Sequence, residues 1–125
     1  MKKIRVLIVD DEADFLKILR LNLEQEEKYE ILTYTSAVNI VSKVHDFKPD
    51  VILLDLLMPV VSGLDACLQL NKDPVGQKIP IIILSALDKD KDQLKAYKLG
   101  VVDYLVKPIE KNDLIARIDK ALKFK

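Results

Sequence analysis

Four short apolar runs in this chain each stop at a polar, reactive residue. Val6-Leu7-Ile8-Val9 meets Asp10-Asp11, and Val51-Ile52-Leu53-Leu54 meets Asp55. Ile81-Ile82-Ile83-Leu84 meets Ser85, and Val102-Asp103-Tyr104-Leu105-Val106 meets Lys107-Pro108. Runs of four or five β-branched and leucine residues, spaced by helical stretches, read as parallel strands buried on both faces. In open α/β sheets the ligand crevice lies beyond the carboxyl ends of the strands. Residues scattered along most of the chain are therefore expected to converge on one site holding three carboxylates, a hydroxyl and an ammonium group.

Between these runs the pattern turns helical. The first strand, 4–9, is followed by a helix from about Glu12 to Glu26 with Leu16, Leu19 and Leu23 on one face. A second strand spans 29–34. Ser36 reads as the N-cap of a second helix with Ile40, Val41, Val44 and Phe47 inward, stopped by Pro49. Strand three is expected at 51–54, and the loop from Met58 to Gly63 opens a third helix ending near Lys72. Pro74 and Gly76 mark a turn before strand four at 80–84. A charged helix from about Asp88 to Leu99 closes at Gly100, strand five takes 102–106, and a last helix runs from about Glu110 to Phe124. Its apolar stripe is Leu114, Ile115, Ile118 and Leu122. Five strands alternating with five helices imply a single doubly wound α/β domain with right-handed crossovers. Residues 1–125 are expected to form that one domain, either as a whole protein or as a piece of a longer one.

Composition removes several function classes. Twenty basic residues cancel twenty acidic ones, so no global field favours nucleic acid or an anionic membrane. The apolar runs are too short to span a bilayer. Met1-Lys2-Lys3 leads straight into a strand and two aspartates, unlike a signal peptide. Cys67 is the one cysteine, so no disulfide framework is expected and a reducing cytoplasm is the natural location. With His45 as the one histidine, zinc-site spacings are missing as well. Both residues read as structural.

Asp10, Asp11 and Asp55, gathered in a partly dehydrated crevice, would repel one another unless a hard cation sat among them. Magnesium suits a shallow site with a few carboxylates, several waters and phosphate oxygens. Taken alone, Asp10-Asp11-Glu12 would merely favour the start of a helix through its dipole. Asp55, after four buried positions, is costly unless paired or metal-bound, and a positioned carboxylate can attack phosphorus. Taken alone it could equally cap a turn. Ser85 would donate to a phosphoryl oxygen, with small Ala86 leaving room, though in isolation it reads as the start of a turn. Lys107 would face three acids and pair with Asp55 or with an anion placed on it, rather than being simply solvated. The bond to Pro108 is a candidate for the cis form, which would aim the lysine inward. Tyr104 reads either as a half-buried edge tyrosine or as a side chain whose position reports the state of Ser85.

Taken together, Asp10-Asp11, Asp55-Leu56-Leu57-Met58-Pro59 with Gly63, Ser85-Ala86 and Asp103-Tyr104-Leu105-Val106-Lys107-Pro108 resemble the receiver domain of two-component response regulators over essentially the whole chain. The resemblance implies a flavodoxin-like (βα)5 sheet of order 2-1-3-4-5 and phosphorylation on Asp55. It implies Mg2+ held by Asp11 and Asp55, with Asp10 assisting and the backbone carbonyl of Leu57 completing the protein ligands. Ser85 and Lys107 would bind the phosphoryl oxygens, and Ser85 and Tyr104 would form the switch that remodels the surface of helix four, strand five and helix five. It further implies a histidine kinase or phosphotransfer protein as donor, with acetyl phosphate as a small substitute, and a downstream protein or output domain as receiver of the signal. Positions 57 and 87, often polar or bordering the path of the hydrolytic water in such domains, are both Leu here. Two apolar side chains are expected to exclude that water and prolong the life of the phosphoryl group. Val60-Val61, in a loop expected to be exposed, reads either as a partner-docking pair or as packing on the third helix, with packing the favoured reading.

Other classes fit less well. A haloacid-dehalogenase-like phosphatase wants a second acid where Leu57 stands, and no cap insertion is present. A nucleotide or flavin binder lacks both glycine-rich fingerprints. A degenerate receiver that only docks partners is at odds with the intact acid pair, Asp55, Ser85 and Lys107. The chain is thus expected to catalyse its own phosphorylation and dephosphorylation without turning over a metabolite. Helix four mixes Lys89, Lys91, Lys95 and Lys98 with Asp88, Asp90 and Asp92. That is compatible with a phosphorylation-dependent homodimer face, though such a mix is more often a solvated helix.

Overall fold

Apolar residues at alternate positions along the strands point to opposite faces of one sheet, and two separate cores result. The structure is a computed structural model that describes residues 2–124. The end residues Met1 and Lys125 of the expected domain lie outside the described residues. Strands β1 (Ile4–Val9), β2 (Tyr29–Tyr34), β3 (Val51–Asp55), β4 (Ile81–Ser85) and β5 (Asp103–Val106) pair in parallel in the order 2-1-3-4-5. The helices are α1 (Ala13–Glu24), α2 (Ile40–Phe47), α3 (Gly63–Asn71), α4 (Asp90–Lys98) and α5 (Lys111–Ala121).

On one face Leu7, Val9, Ile52, Leu54, Ile81 and Ile83 pack against α2, α3 and α4 through residues such as Ile40, Val44, Ala66, Leu70 and Ala96. On the other face Val6, Ile8, Leu53, Ile82 and Leu84 pack against α1 and α5 through Leu16, Leu19, Leu23, Leu114 and Ile118. Both faces of β1, β3 and β4 are thus covered, which explains their unbroken apolar character. Cys67 is buried in the first of these cores.

Strands three and four each run one residue further than expected, so Asp55 and Ser85 are themselves the last residues of β3 and β4. Helix ends are shorter than expected by one to three residues, except that α3 begins at Gly63, one residue before the expected Leu64. A short 3-10 turn (Gly76–Lys78) occupies the segment read as a plain turn. The expected role of Ser36 is corrected. Its Oγ accepts the Val38 N–H at 3.1 Å, closing a local turn, and α2 begins only at Ile40 behind Asn39 at φ 60°. A serine that bonds its own neighbourhood in this way competes with helix initiation. Ser62 instead caps α3, accepting from the Asp65 N–H, and Glu110 caps α5.

The pair Val60-Val61 divides. Val61 packs on the first core, whereas Val60 is 89% exposed and sits at φ 69°. The Val61 N–H donates to the Pro59 carbonyl at 2.8 Å, closing a γ-turn with Val60 at its centre. A β-branched residue in this region carries backbone strain. Because the Val60 side chain packs on nothing, Val60→Gly is expected to stabilise the chain by about 1 kcal/mol, the cost of the left-handed region for an L-residue. A urea unfolding midpoint that fell on substitution would contradict this account.

Candidate functional site at the carboxyl ends of the strands

Register brings the site together. Val9 pairs with Leu54, so Asp10 and Asp55 follow on adjacent strands. Asp55 pairs with Leu84, the residue before Ser85. Ser85 pairs with Val106, and the Lys107 N–H donates to the Ser85 carbonyl at 2.8 Å, which fixes the lysine backbone against the end of β4. The Lys107–Pro108 peptide bond is cis. Each functional group thus starts from a rigid strand terminus.

Oxygens of Asp10, Asp11 and Asp55 lie within 4.8 Å of one another. Asp10 is fully buried, Asp55 nearly so, and Asp11 is exposed. Asp10 Oδ1 accepts the Glu12 N–H at 2.9 Å, which orients the carboxylate. Its Oδ2 makes a 2.8 Å ion pair with Lys107 Nζ but has no aligned hydrogen bond, an unusual state for a buried oxygen. Burial pushes the Asp55 carboxyl up from 3.8 to about 6; Asp10 adds to the rise, Lys107 opposes it, and Asp11 raises it again. Three acids with one lysine among them leave surplus negative charge in a partly dry pocket. The donor set is all oxygen, as a hard divalent cation requires, and it fits magnesium.

Two expected features are modified. Lys107 lies 4.0 Å from Asp55 Oδ2, beyond hydrogen-bond length, and its near partners are Asp10 and Glu12 Oε1, the latter at 3.0 Å. Burial works to lower the Lys107 pKa, but its close contacts with the carboxylates of Asp10 and Glu12, aided by the charge of Asp55, outweigh burial and raise it overall. Glu12 was missed as a site residue; an acid in the first turn of a helix has an adequate local explanation, and its partner is far away in sequence. Tyr104 is buried rather than half-buried, and its hydroxyl donates to the Leu87 carbonyl at 2.8 Å. Ser85 Oγ accepts the N–H of that same Leu87 at 3.1 Å. Burial raises the Tyr104 phenol pKa.

Leu57 follows in the loop after β3 and is 60% exposed, while Leu87 is half-buried. Both line a cavity of about 130 Å³ shared with Leu56, Ser62, Leu64, Asp92 and Lys95. His45 lies elsewhere. Its Nε2 is 2.9 Å from Asp73 Oδ2, and that carboxylate also accepts the Val75 and Gly76 N–H groups. The hydrogen bond from Gly76, then that from His45, hold the Asp73 carboxyl below its usual range.

A sequence model described as the response regulator receiver domain matches residues 6–119. The alkaline phosphatase synthesis transcriptional regulatory protein PhoP of Bacillus subtilis (strain 168) is 32% identical over 119 residues, covering 95% of this chain and 48% of the relative. The probable transcriptional regulator ycf27 of Guillardia theta is 38% identical over 121 residues, covering 97% and 46%. The chain therefore spans about half the length of these curated relatives. Among solved structures, a response regulator from Chloroflexus aurantiacus J-10-fl superposes with a TM-score of 0.90 at 28% identity, covering 97% of this chain and 98% of that one. The response regulator domain of Thermotoga maritima CheB gives 0.88 at 26% identity, with 99% of each chain covered. No helix among the described residues is long and apolar enough to cross a membrane. With the acid cluster, the strand-end lysine and the 2-1-3-4-5 sheet already in place, these matches lead to one assignment: the chain belongs to the response regulator receiver domain family.

Proposed function

We propose that this chain is a phosphoacceptor switch in which Asp55 takes a phosphoryl group from a histidine kinase or phosphotransfer protein. The observation that carries the reading is the Asp55 carboxylate at the end of β3, with oxygens of Asp10 and Asp11 within 4.8 Å of its own and the Lys107 ammonium at 4.0 Å. In the step, an ionised Asp55 oxygen forms a new P–O bond while the P–N bond to the donor imidazole breaks. The electron pair returns to the imidazole nitrogen, which takes a proton. With acetyl phosphate, the bond to the acetate oxygen breaks instead. Lys107 neutralises the oxygens of the transferred group, and Ser85 turns its hydroxyl from the Leu87 amide to donate to them. Asp10, Asp11, Asp55 and the Leu57 carbonyl would hold Mg2+, which supplies charge neutralisation at phosphorus.

Movement of Ser85 would loosen Leu87 and the Tyr104 hydroxyl anchored on it, remodelling the face of α4, β5 and α5 for a downstream protein, an output domain or a second copy of the chain. Residues 1–125 are proposed to act as one receiver unit. The proposed location is the cytoplasm, without direct contact to nucleic acid or membrane. The chain would promote its own phosphorylation and dephosphorylation and turn over no metabolite.

The test is mass spectrometry after incubation with acetyl phosphate and magnesium. A magnesium-dependent phosphoryl adduct on the wild type, lost in Asp55→Asn, supports the reading. Absence of an adduct, or its survival in Asp55→Asn, would sink it. Steady phosphate release from unrelated esters would favour a hydrolase instead. The lifetime of the adduct is a separate expectation. Leu57 and Leu87, which line one cavity, are proposed to keep the hydrolytic water from Asp55 with aliphatic surface, so the double variant Leu57→Asn, Leu87→Glu should shorten the half-life by roughly tenfold, a change of about 1.4 kcal/mol in barrier. A wild-type half-life of seconds, or one unaltered by the double substitution, would remove this role.

A further inference from the structure

Lys107 presents one ammonium to four neighbours, and the division among them is uneven. Its Nζ is hydrogen-bonded to Glu12 Oε1 at 3.0 Å, the directed bond of this group. It lies 2.8 Å from Asp10 Oδ2 as an ion pair without hydrogen-bond alignment, and 4.2 Å from the centre of the Phe15 ring. Asp55 Oδ2, at 4.0 Å, receives no hydrogen bond from it. The lysine backbone is pinned by its bond to the Ser85 carbonyl, so only the side chain is free to redistribute.

Glu12 has no local employment that would explain this contact. It occupies the N-cap position of α1, yet its side chain caps none of that helix's N–H groups. Its side chain, 65% exposed, instead reaches across to a residue 95 positions later. Phe15, one turn further along α1, offers the face of its ring to the same ammonium, an attraction of the cation–π type. Together the two side chains of α1 draw the positive charge to the helix side of the pocket.

We propose that Glu12 is a positioning residue that holds the Lys107 ammonium off Asp55 in the unphosphorylated chain and yields it when phosphoryl oxygens arrive there. The inference rests on Asp55 being the phosphoacceptor. A phosphoryl group on Asp55 places strong anionic acceptors where a carboxylate oxygen now stands, and an ammonium that turns toward them gives up Glu12. Glu12 and the phosphoryl group then compete for one cation. Removing the Glu12 charge tightens binding of a phosphoryl mimic. Because the carboxylate is largely exposed, the gain is about two- to fivefold rather than orders of magnitude.

The experiment is a titration of the full chain with beryllofluoride at saturating magnesium, magnesium affinity being measured separately for each variant so that saturation is kept. Calorimetry gives the affinity, and NMR follows the Lys107 ε-methylene protons, which the Phe15 ring shields in the resting state. Glu12→Gln is expected to bind beryllofluoride two- to fivefold more tightly, and to have lost part of the ring shielding before any is added. Glu12→Asp keeps the charge but shortens the reach, and it should shift in the direction of Glu12→Gln. Equal or weaker binding by Glu12→Gln with unaltered shielding would overturn the proposal. So would a Glu12→Asp chain that matches wild type while Glu12→Gln differs, since that pattern marks a general field and not a held ammonium. If wild type fails to bind beryllofluoride, or Asp55→Asn binds it equally well, the phosphoacceptor reading itself falls, and the role of Glu12 with it.

Discussion

Replacing Asp55 with Asn is expected to make the metal-free chain more stable at neutral pH, by about 1–3 kcal/mol. Burial and the neighbouring acids raise this carboxyl from 3.8 to about 6, so the folded chain holds its proton more firmly than the unfolded chain does. The stabilising contribution of that proton is present below the unfolded value, falls as pH rises from 3.8 through about 6, and is gone above it. Ionised Asp55 is thus a liability of the folded state, with a ceiling of about 3 kcal/mol at ~1.4 kcal/mol per tenfold change in proton affinity. Urea unfolding of wild type and Asp55→Asn in the presence of a chelator measures the gap directly. The gap should be widest above about pH 7 and close toward about pH 4. Magnesium should shrink it at neutral pH by binding the folded wild type preferentially. A gap that is absent, or that widens on acidification, would contradict the electrostatic account of the pocket.

The second large effect concerns Gly63. Its N–H donates to the Leu56 carbonyl at 2.8 Å, folding the loop after β3 back onto the strand end. A Cβ at this position would stand 2.7 Å from Leu56 Cα and overlap the Asp55 carbonyl oxygen, both of them backbone. Gly63→Ala is therefore expected to cost about 1–3 kcal/mol or more, because no flexible side chain can give way. It should also depress adduct formation on Asp55 in the chains that remain folded, since the backbone that must shift is that of Asp55, the proposed phosphoacceptor. Gly100→Ala is the control. Gly100 sits at φ 88° with open space around it, so only the cost of the backbone conformation, about 1 kcal/mol, should appear, with phosphorylation intact. Equal stability and equal adduct formation for Gly63→Ala and wild type would refute the packing argument.

The sheet was legible because burial on both faces leaves strands no polar residues until they end. For the same reason the hand-off from apolar run to Asp10, Asp55, Ser85 and Lys107 marked the crevice without any three-dimensional information. What was illegible depended on local competition or on distant partners. Ser36 has the right chemistry for a helix cap, but the turn it forms with Val38 delays α2 by several residues. Val60 and Val61 are identical in type, and only the γ-turn decides that one packs and the other faces water. The tyrosine hydroxyl had two acceptable positions, and sequence carries no preference between them. Glu12 belonged to a triplet whose helix-start explanation was sufficient, and its contact with Lys107 becomes visible only when β1 and β5 are placed in one sheet.

Leu87 is engaged at both ends of its main chain, the amide by the alcohol of residue 85 and the carbonyl by the phenol of residue 104. A single amino acid thus joins the end of β4 to an aromatic side chain on β5. Under the proposed function, drawing that alcohol toward a phosphoryl group would disturb the tyrosine's mooring through this one residue, with no intervening chain of side chains.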